Sequence, residues 1–322
     1  MTQADRIPTG ETEAALAPVM DRAREYARQS KASNTIRAYR SDWRDFEEWC
    51  FSHRRQPLPA TPETVALYLT DLADQGRKPS TITRRVSAIS QAHQMASRRS
   101  PTRSAKVRAV LRGIRRTKGT MPESKAPVLI DDIRRMMAAL PKRLLGIRDR
   151  ALLLVGFAGG FRRSELVSLN VGDIEFAEDG LVVRLRRSKT DQEAAGRKVG
   201  IPFGSHRGTC PVRSLKAWLE ASGIERGPVF RPINRHGQVR GKRLSDKAVA
   251  LIVKRAAEAV GKDPGEFAGH SLRAGLATAA AIGGASERSI MKQTGHRSTA
   301  MVRRYIREGS LFRENAAARV GL

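Results

Sequence analysis

In Gly269-His270-Ser271-Leu272-Arg273 an imidazole and a guanidinium stand three residues apart at a helix start, which puts both side chains on one helix face. Downstream, helical periodicity covers Ser271 to Ile282, Ser286 to Gln293 and Thr299 to Ile306. Gly295-His296 falls between the last two, and Tyr305 follows His296 by nine residues. Upstream, Ala158-Gly159-Gly160-Phe161-Arg162-Arg163-Ser164-Glu165-Leu166 ends an apolar helix in a glycine pair and places an Arg at the next turn. Glu165, three residues on, can orient that guanidinium as a supporting carboxylate. Arg163 is next door, and charge alone does not choose between the two arginines. Between these fragments, Leu181 to Leu185 reads as a strand and Lys198 to Pro202 as its partner, with a polar turn around Asp191 to Gly196. Lys189 lies in the turn of that hairpin, where its long side chain can reach into a groove.

The N-terminal third carries no strand alternation before about residue 120. Ser33 can cap a helix whose apolar face holds Ile36, Trp43, Phe46 and Trp49. Thr61-Pro62-Glu63 combines a capping hydroxyl, a first-position proline and a first-turn acid, and Gly76 can end that helix. Ser80 opens another with Ile82, Val86, Ile89 and His93 at helical spacing, and Val107, Val110, Leu111 and Ile114 mark one more. The polar, two-proline segment 117–127 has no periodicity and reads as a linker. The C-terminal part adds a helix from Asp131 or Asp132, an apolar one from Arg148 to Phe157, and helices at Val212 to Leu219 and Ser245 to Val260. The expected fold is mainly α with a small antiparallel β-sheet: an all-helical domain over 1–116, a linker over 117–127, and a mixed domain over 128–322.

The chain has 322 residues, 60 Lys and Arg against 32 Asp and Glu, a net charge of +28 and a pI near 11.3. Such an excess points to a polyanionic partner, because each neutralised phosphate releases condensed counterions. Apolar residues make up 40%, enough for sizeable cores. Two cysteines, Cys50 and Cys210, give neither a disulfide framework nor zinc spacing. The start Met1-Thr2-Gln3-Ala4-Asp5 has no signal pattern, and no apolar run approaches the roughly 20 residues that span a bilayer. A cytoplasmic protein with no membrane partner is expected.

The chemistry-bearing residues have plain readings when taken singly. Tyr305 alone is an ordinary helix tyrosine, His270 with Arg273 a buried His beside a solvated Arg, Arg162 with Glu165 a surface ion pair of little energy, and Lys189 a solvated turn lysine. No zinc-ligand spacing links His270, His296 and Cys210, and no acidic cluster suits magnesium. Gly283-Gly284 lacks the Lys-Ser/Thr of a phosphate loop. Neither a metal nor a nucleotide cofactor is expected.

In this order the fragments resemble the tyrosine recombinase (phage integrase) family, whose pattern is Arg, hairpin Lys, His-x-x-Arg, His or Trp, then Tyr. Here it falls on Arg162, Lys189, His270, Arg273, His296 and Tyr305, and Phe161-Arg162-Arg163-Ser164-Glu165-Leu166 matches the first box in a way that selects Arg162 over Arg163. Ser33-Asn34-Thr35, Trp49-Cys50, Thr81-Ile82 and Ala92-His93 look like Cre-type members in particular, although those members often carry Trp where this chain has His296. The resemblance covers nearly the whole chain.

The resemblance implies a site-specific DNA recombinase with a SAM-like core-binding domain and a catalytic domain that together form a C-shaped DNA clamp. It implies that Tyr305 attacks a phosphate to give a 3′-phosphotyrosyl bond, while Arg162 and Arg273 clamp the non-bridging oxygens. His296 would donate a further hydrogen bond, Lys189 would protonate the 5′-oxygen, His270 would assist proton removal from Tyr305, and Glu165 would support Arg162. The implied partners are double-stranded DNA sites with inverted half-sites and a homotetramer on two sites. That tetramer works through a Holliday junction, in a bacterial nucleoid, plasmid or phage context. Arg37, Arg84 and Arg85 are candidate major-groove readers, Arg235 a candidate for the minor groove, and Leu311, Phe312 and Val320 in a tail over 309–322 a candidate anchor in a neighbouring protomer. A catalytically silent DNA-binding homologue and a type IB topoisomerase are the competing readings.

Overall fold

The computed structural model describes residues 33–121, 124–186 and 196–309, together with 16, 18–22, 25 and 26. Lys189 and the tail residues Leu311, Phe312 and Val320 lie outside the described residues. The chain divides into two compact units, Met1–Glu123 and Ser124–Leu322.

The first unit is helical: α1 (Ser33–Ser52), α2 (Pro62–Asp74), α3 (Pro79–Met95) and α4 (Ala105–Lys118). Thr61 caps α2 by accepting from the Thr64 N–H, and Pro62 occupies the first turn. α3 starts at Pro79, one residue before Ser80, because a proline has no N–H to lose and its φ already suits a helix. The core gathers Phe46 and Cys50 from α1, Val65, Tyr68, Leu69 and Leu72 from α2, Ile82 and Ile89 from α3, and Val107 from α4. Trp43 and Trp49 pack against it, and Trp49 Nε1 donates to Asp71 Oδ2 at 2.7 Å.

Arg85 corrects one expectation. It falls on the same stripe of α3 as Ile82 and Ile89 and is 8% exposed. Its guanidinium donates to the Tyr68 hydroxyl and faces Asp45, while Tyr68 donates to Asp45 Oδ1 at 2.6 Å. Arg85 is therefore part of the interior and is not presented to a groove. Arg84 is about half exposed and 3.0 Å from Asp42 Oδ1, which also lies 3.9 Å from Arg85 Nε, and Arg37 is exposed.

His93 is fully buried and joins two elements of this core. Its Nε2 accepts the Ala60 N–H at 2.9 Å and its Nδ1 donates to Ile89 O at 2.8 Å. His93→Leu leaves the Ala60 N–H buried without an acceptor, an expected loss of about 1–3 kcal/mol. Chemical denaturation followed by tryptophan fluorescence measures it, and an unchanged midpoint would show that the loop before α2 relaxes to find another acceptor.

The second unit holds α5 (Ile130–Ala139), α6 (Leu144–Ala158), α7 (Arg163–Ser168), strands β1 (Ile174–Ala177), β2 (Gly180–Leu185) and β3 (Arg197–Pro202), then α8 (Pro211–Ser222), α9 (Asp246–Glu258), α10 (Ser271–Ile282), α11 (Glu287–Thr294) and α12 (Thr299–Gly309). The sheet is antiparallel in the order β1-β2-β3, with Val183 opposite Val199 and Leu181 opposite Ile201. Alternate residues Leu181, Val183, Leu185, Val199 and Ile201 are buried, the period of a one-sided sheet. β1 was not legible in sequence. It is a four-residue edge strand whose residues stay largely outside the core, so it carries no alternation. α6 is buried along Ala151–Gly156 and packs on Leu215 and Trp218 of α8.

Both ends of the segment expected to be a linker belong to the two units. Thr117 and Lys118 complete α4, and residues 125–128 lace onto the second unit. Lys125 Nζ donates to Gly265 O at 2.6 Å, the Ala126 N–H to Glu266 O at 2.9 Å and the Val128 N–H to Ser271 O at 3.0 Å. Val128 O crowds α10 so closely that a Cβ on Gly275 would lie 2.0 Å from it. The second unit is mostly helical, as expected. Among the described residues, no helix is long and apolar enough to cross a membrane.

Candidate active site

Arg273 sits in the first turn of α10 with no solvent exposure. Its Nη1 donates to Gly160 O at 2.7 Å and to Thr294 O, so one corner of the guanidinium ties the end of α6 to the end of α11. Nε and Nη2 are buried with no partner among the described residues. Buried donors in native proteins are almost always paired, and two unpaired nitrogens on one cation form a ready receptor for an anion. Burial, then the neighbouring Arg162, lowers the Arg273 pKa to about 10, which leaves it charged at neutral pH.

Arg162 precedes α7. Gly160, at φ +57, turns the chain after α6, and buried Phe161 pins the turn. The Arg162 N–H donates to Glu165 Oε2 at 2.9 Å and its Nη1 to Oε1 at 2.5 Å. Glu165 is 2% exposed, so this is a buried clamp on the guanidinium. Arg163 leaves the site, half exposed and 3.2 Å from Asp246.

Arg197, at the start of β3, was missed in sequence because one more Arg in so basic a chain carries no signal. Its guanidinium donates to Gln293 O at 2.9 Å and Thr294 O at 3.2 Å and lies 3.8 Å from Glu165. It thereby caps the C-terminus of α11 with a cation, the favoured sign there. Gly295 must be glycine for two reasons: its φ is +68, and a Cβ would lie 2.8 Å from the Arg197 guanidinium.

His296 follows at 7% exposure, with Nδ1 2.7 Å from Thr294 Oγ1. Burial, then Arg273 and Arg162, lowers its pKa to about 3, so the ring is neutral here. α12 packs on α10 and α11 through Val302, Ala277 and Ile290, with Tyr305 against that cluster. This packing brings the Tyr305 hydroxyl to 3.2 Å from His270 Nε2 and its ring to 5.9 Å from that of His296. Five of the six residues singled out in sequence, Arg162, His270, Arg273, His296 and Tyr305, thus meet in one place with Glu165. Arg235 lies elsewhere on the second unit, exposed in a turn, with Nε donating to His236 Nε2 at 3.1 Å. Among the described residues, no group of three or more His, Cys, Asp and Glu is placed to hold a metal ion.

An anion held by Arg273 and Arg162 beside a phenol paired with an imidazole is the arrangement needed for phenolic attack on a charged centre. The phage integrase family model matches residues 128–310, and the phage integrase N-terminal SAM-like domain matches residues 24–100. An integrase/recombinase XerD homolog of Selenomonas ruminantium is 45% identical over 304 residues, 93% of this chain and 89% of its own length. The Cre recombinase of Escherichia phage P1 is 26% identical over 300 residues, 87% and 85% of the two chains. Among solved structures, the Tn1549 transposon integrase in complex with circular intermediate DNA superposes with a TM-score of 0.62 at 15% identity, covering 88% of this chain and 92% of that one. A lambda integrase dimer bound to a COC′ core site gives 0.60 at 19% identity, covering 89% and 93%. Both likenesses show a shared fold.

Proposed function

Because this chain belongs to the phage integrase family and is a tyrosine site-specific recombinase, we propose that it cuts and rejoins double-stranded DNA through a 3′-phosphotyrosyl bond on Tyr305. The observation that carries the reading is the Tyr305 hydroxyl, 3.2 Å from His270 Nε2 and close to a fully buried Arg273 with two nitrogens that no described residue pairs. Arg273 and Arg162 hold the non-bridging oxygens of the scissile phosphate, and Glu165 keeps the Arg162 fork in place. His270 takes the phenolic proton as Tyr305 attacks. His296 hydrogen-bonds the same phosphate. Lys189 protonates the departing 5′-oxygen, and a 5′-hydroxyl from a second duplex then attacks the phosphotyrosine, so bond energy is conserved through a Holliday junction.

The net charge of +28 supports a DNA partner. Arg37, Arg84 and Arg235 are the exposed candidates for contacts to it. We place four protomers on two sites of inverted half-sites, with the segment after α12 docking in a neighbour.

Incubation with a random-sequence duplex library, followed by denaturation and capture of protein-linked strands, tests the reading. A covalent adduct through the 3′-phosphate end of the cleaved strand, with a free 5′-hydroxyl on the other fragment, is expected, and its absence from every captured pool overturns the proposal. In the same assay Lys189→Ala is expected to slow cleavage about 10²-fold or more, the range for a general acid, with DNA retention nearly unchanged. Equal loss of cleavage and retention removes Lys189 from the reacting centre.

A further inference from the structure

Thr294 has no solvent exposure, and its hydroxyl oxygen lies 2.7 Å from Ile290 O and 2.7 Å from His296 Nδ1. Two oxygens this close need a proton between them, and a carbonyl has none to give. The single hydroxyl proton of Thr294 therefore points at Ile290 O. The contact with His296 is then made by a Thr294 lone pair, and the proton in it belongs to Nδ1. In the neutral ring the other nitrogen, Nε2, is left with a bare lone pair. A bare Nε2 repels a phosphate oxygen instead of donating to it.

We infer that Thr294 is a positioning residue that locks His296 as the Nδ1–H tautomer, so that a phosphodiester oxygen can be bound at Nε2 only when the ring takes up a proton. The inference rests on the reading of this cleft as a phosphodiester site and deepens it. Thr294 is suited to the task by its second role, since its carbonyl accepts from both Arg273 and Arg197. The same residue thus anchors two cations with its backbone and sets a tautomer with its side chain.

The charges around the ring fix the sign of the effect. Arg273 from α10, Arg162 ahead of α7, Arg197 from β3 and His270 ahead of α10 all oppose a positive His296. Glu165 from α7 is occupied by Arg162 and Arg197, and Tyr305 from α12 is the neighbouring phenol. Arg297, next in the loop, is exposed. In the free protein burial and these arginines keep the ring neutral, with a pKa of about 3. A bound phosphodiester puts a negative charge among them and raises that value. Between the free and bound values, proton uptake accompanies binding, so occupancy of the phosphate site weakens as pH rises, by up to tenfold per unit.

Imidazole nitrogen shifts of the histidine-labelled full chain near neutral pH test this, with His296 among six histidines assigned by its loss in His296→Gln. Wild type is expected to show a protonated Nδ1 and a bare Nε2, and Thr294→Ser the same. In Thr294→Val, nothing accepts from Nδ1, so the proton moves to Nε2. A protonated Nε2 in neutral wild-type His296, or an unchanged pattern in Thr294→Val, overturns the inference. The wild-type spectrum decides the tautomer even if the Val variant misfolds. The initial rate of adduct formation on the duplex library should fall with rising pH in wild type, and Thr294→Val, with His270 intact, should lack that limb; coincident profiles overturn the proton uptake. If no adduct forms at any pH, the proposed function fails while the spectra still decide the role of Thr294.

Discussion

Tyr305→Phe is expected to abolish the covalent protein–DNA adduct, a loss on the order of 10⁴-fold or more for removal of the nucleophile, while DNA retention stays within about threefold. The reason for the separation is local. Tyr305 contributes one hydroxyl to the cluster, and its ring keeps its packing against Ala277, Ile290 and Val302 when that oxygen is removed. The lost hydroxyl contact with His270 is at the exposed edge of the site, so stability should change by less than about 1 kcal/mol. Denaturing gels with end-labelled captured duplex read the adduct, and filter binding reads retention. Adduct formation by the Phe variant would move the nucleophile to another residue.

Arg273→Ala is the second large effect. Two nitrogens of this buried cation have no partner among the described residues; in the proposed mechanism they meet the phosphate, and loss of one such donor costs about 10²–10³-fold in rate elsewhere. A drop of about 10³-fold or more in cleavage is expected, with DNA retention reduced less than about tenfold, because exposed lysines and arginines supply most of the phosphate contacts. Arg273→Lys should recover little. A single ammonium cannot hold Gly160 O and Thr294 O and still present two N–H groups to an anion. Single-turnover cleavage against protein concentration separates the rate from retention. If Lys restores wild-type cleavage, charge alone is sufficient and the fork geometry is irrelevant.

Much of the fold was legible because its signals are local. Thr61-Pro62 starts α2 through a hydroxyl and a proline that act within one turn. Ser245 and Ser286 cap α9 and α11 with a hydroxyl alone. β2 and β3 showed their period because one sheet face is buried. β1 stayed hidden because only Ile174 of its four residues packs against the core, too little to show an alternation.

The site divides along the same line. The order of the candidate reacting groups was legible through the family resemblance, whereas the sequence by itself determined the helical spacing that pairs His270 with Arg273 and the Glu165 that accompanies Arg162. These follow from residue type and short-range geometry. Only the tertiary structure decided which arginines are interior. Arg85 fell on the Ile82 and Ile89 stripe and became part of a core, although it reads like its neighbour Arg84 in sequence. Arg197 entered the site because β3 begins against the last turn of α11. Thr294 gained its role because its hydroxyl lies between a carbonyl and an imidazole. Burial and hydrogen-bond partners are set by which elements pack together over long separations, and no local pattern of residues records that.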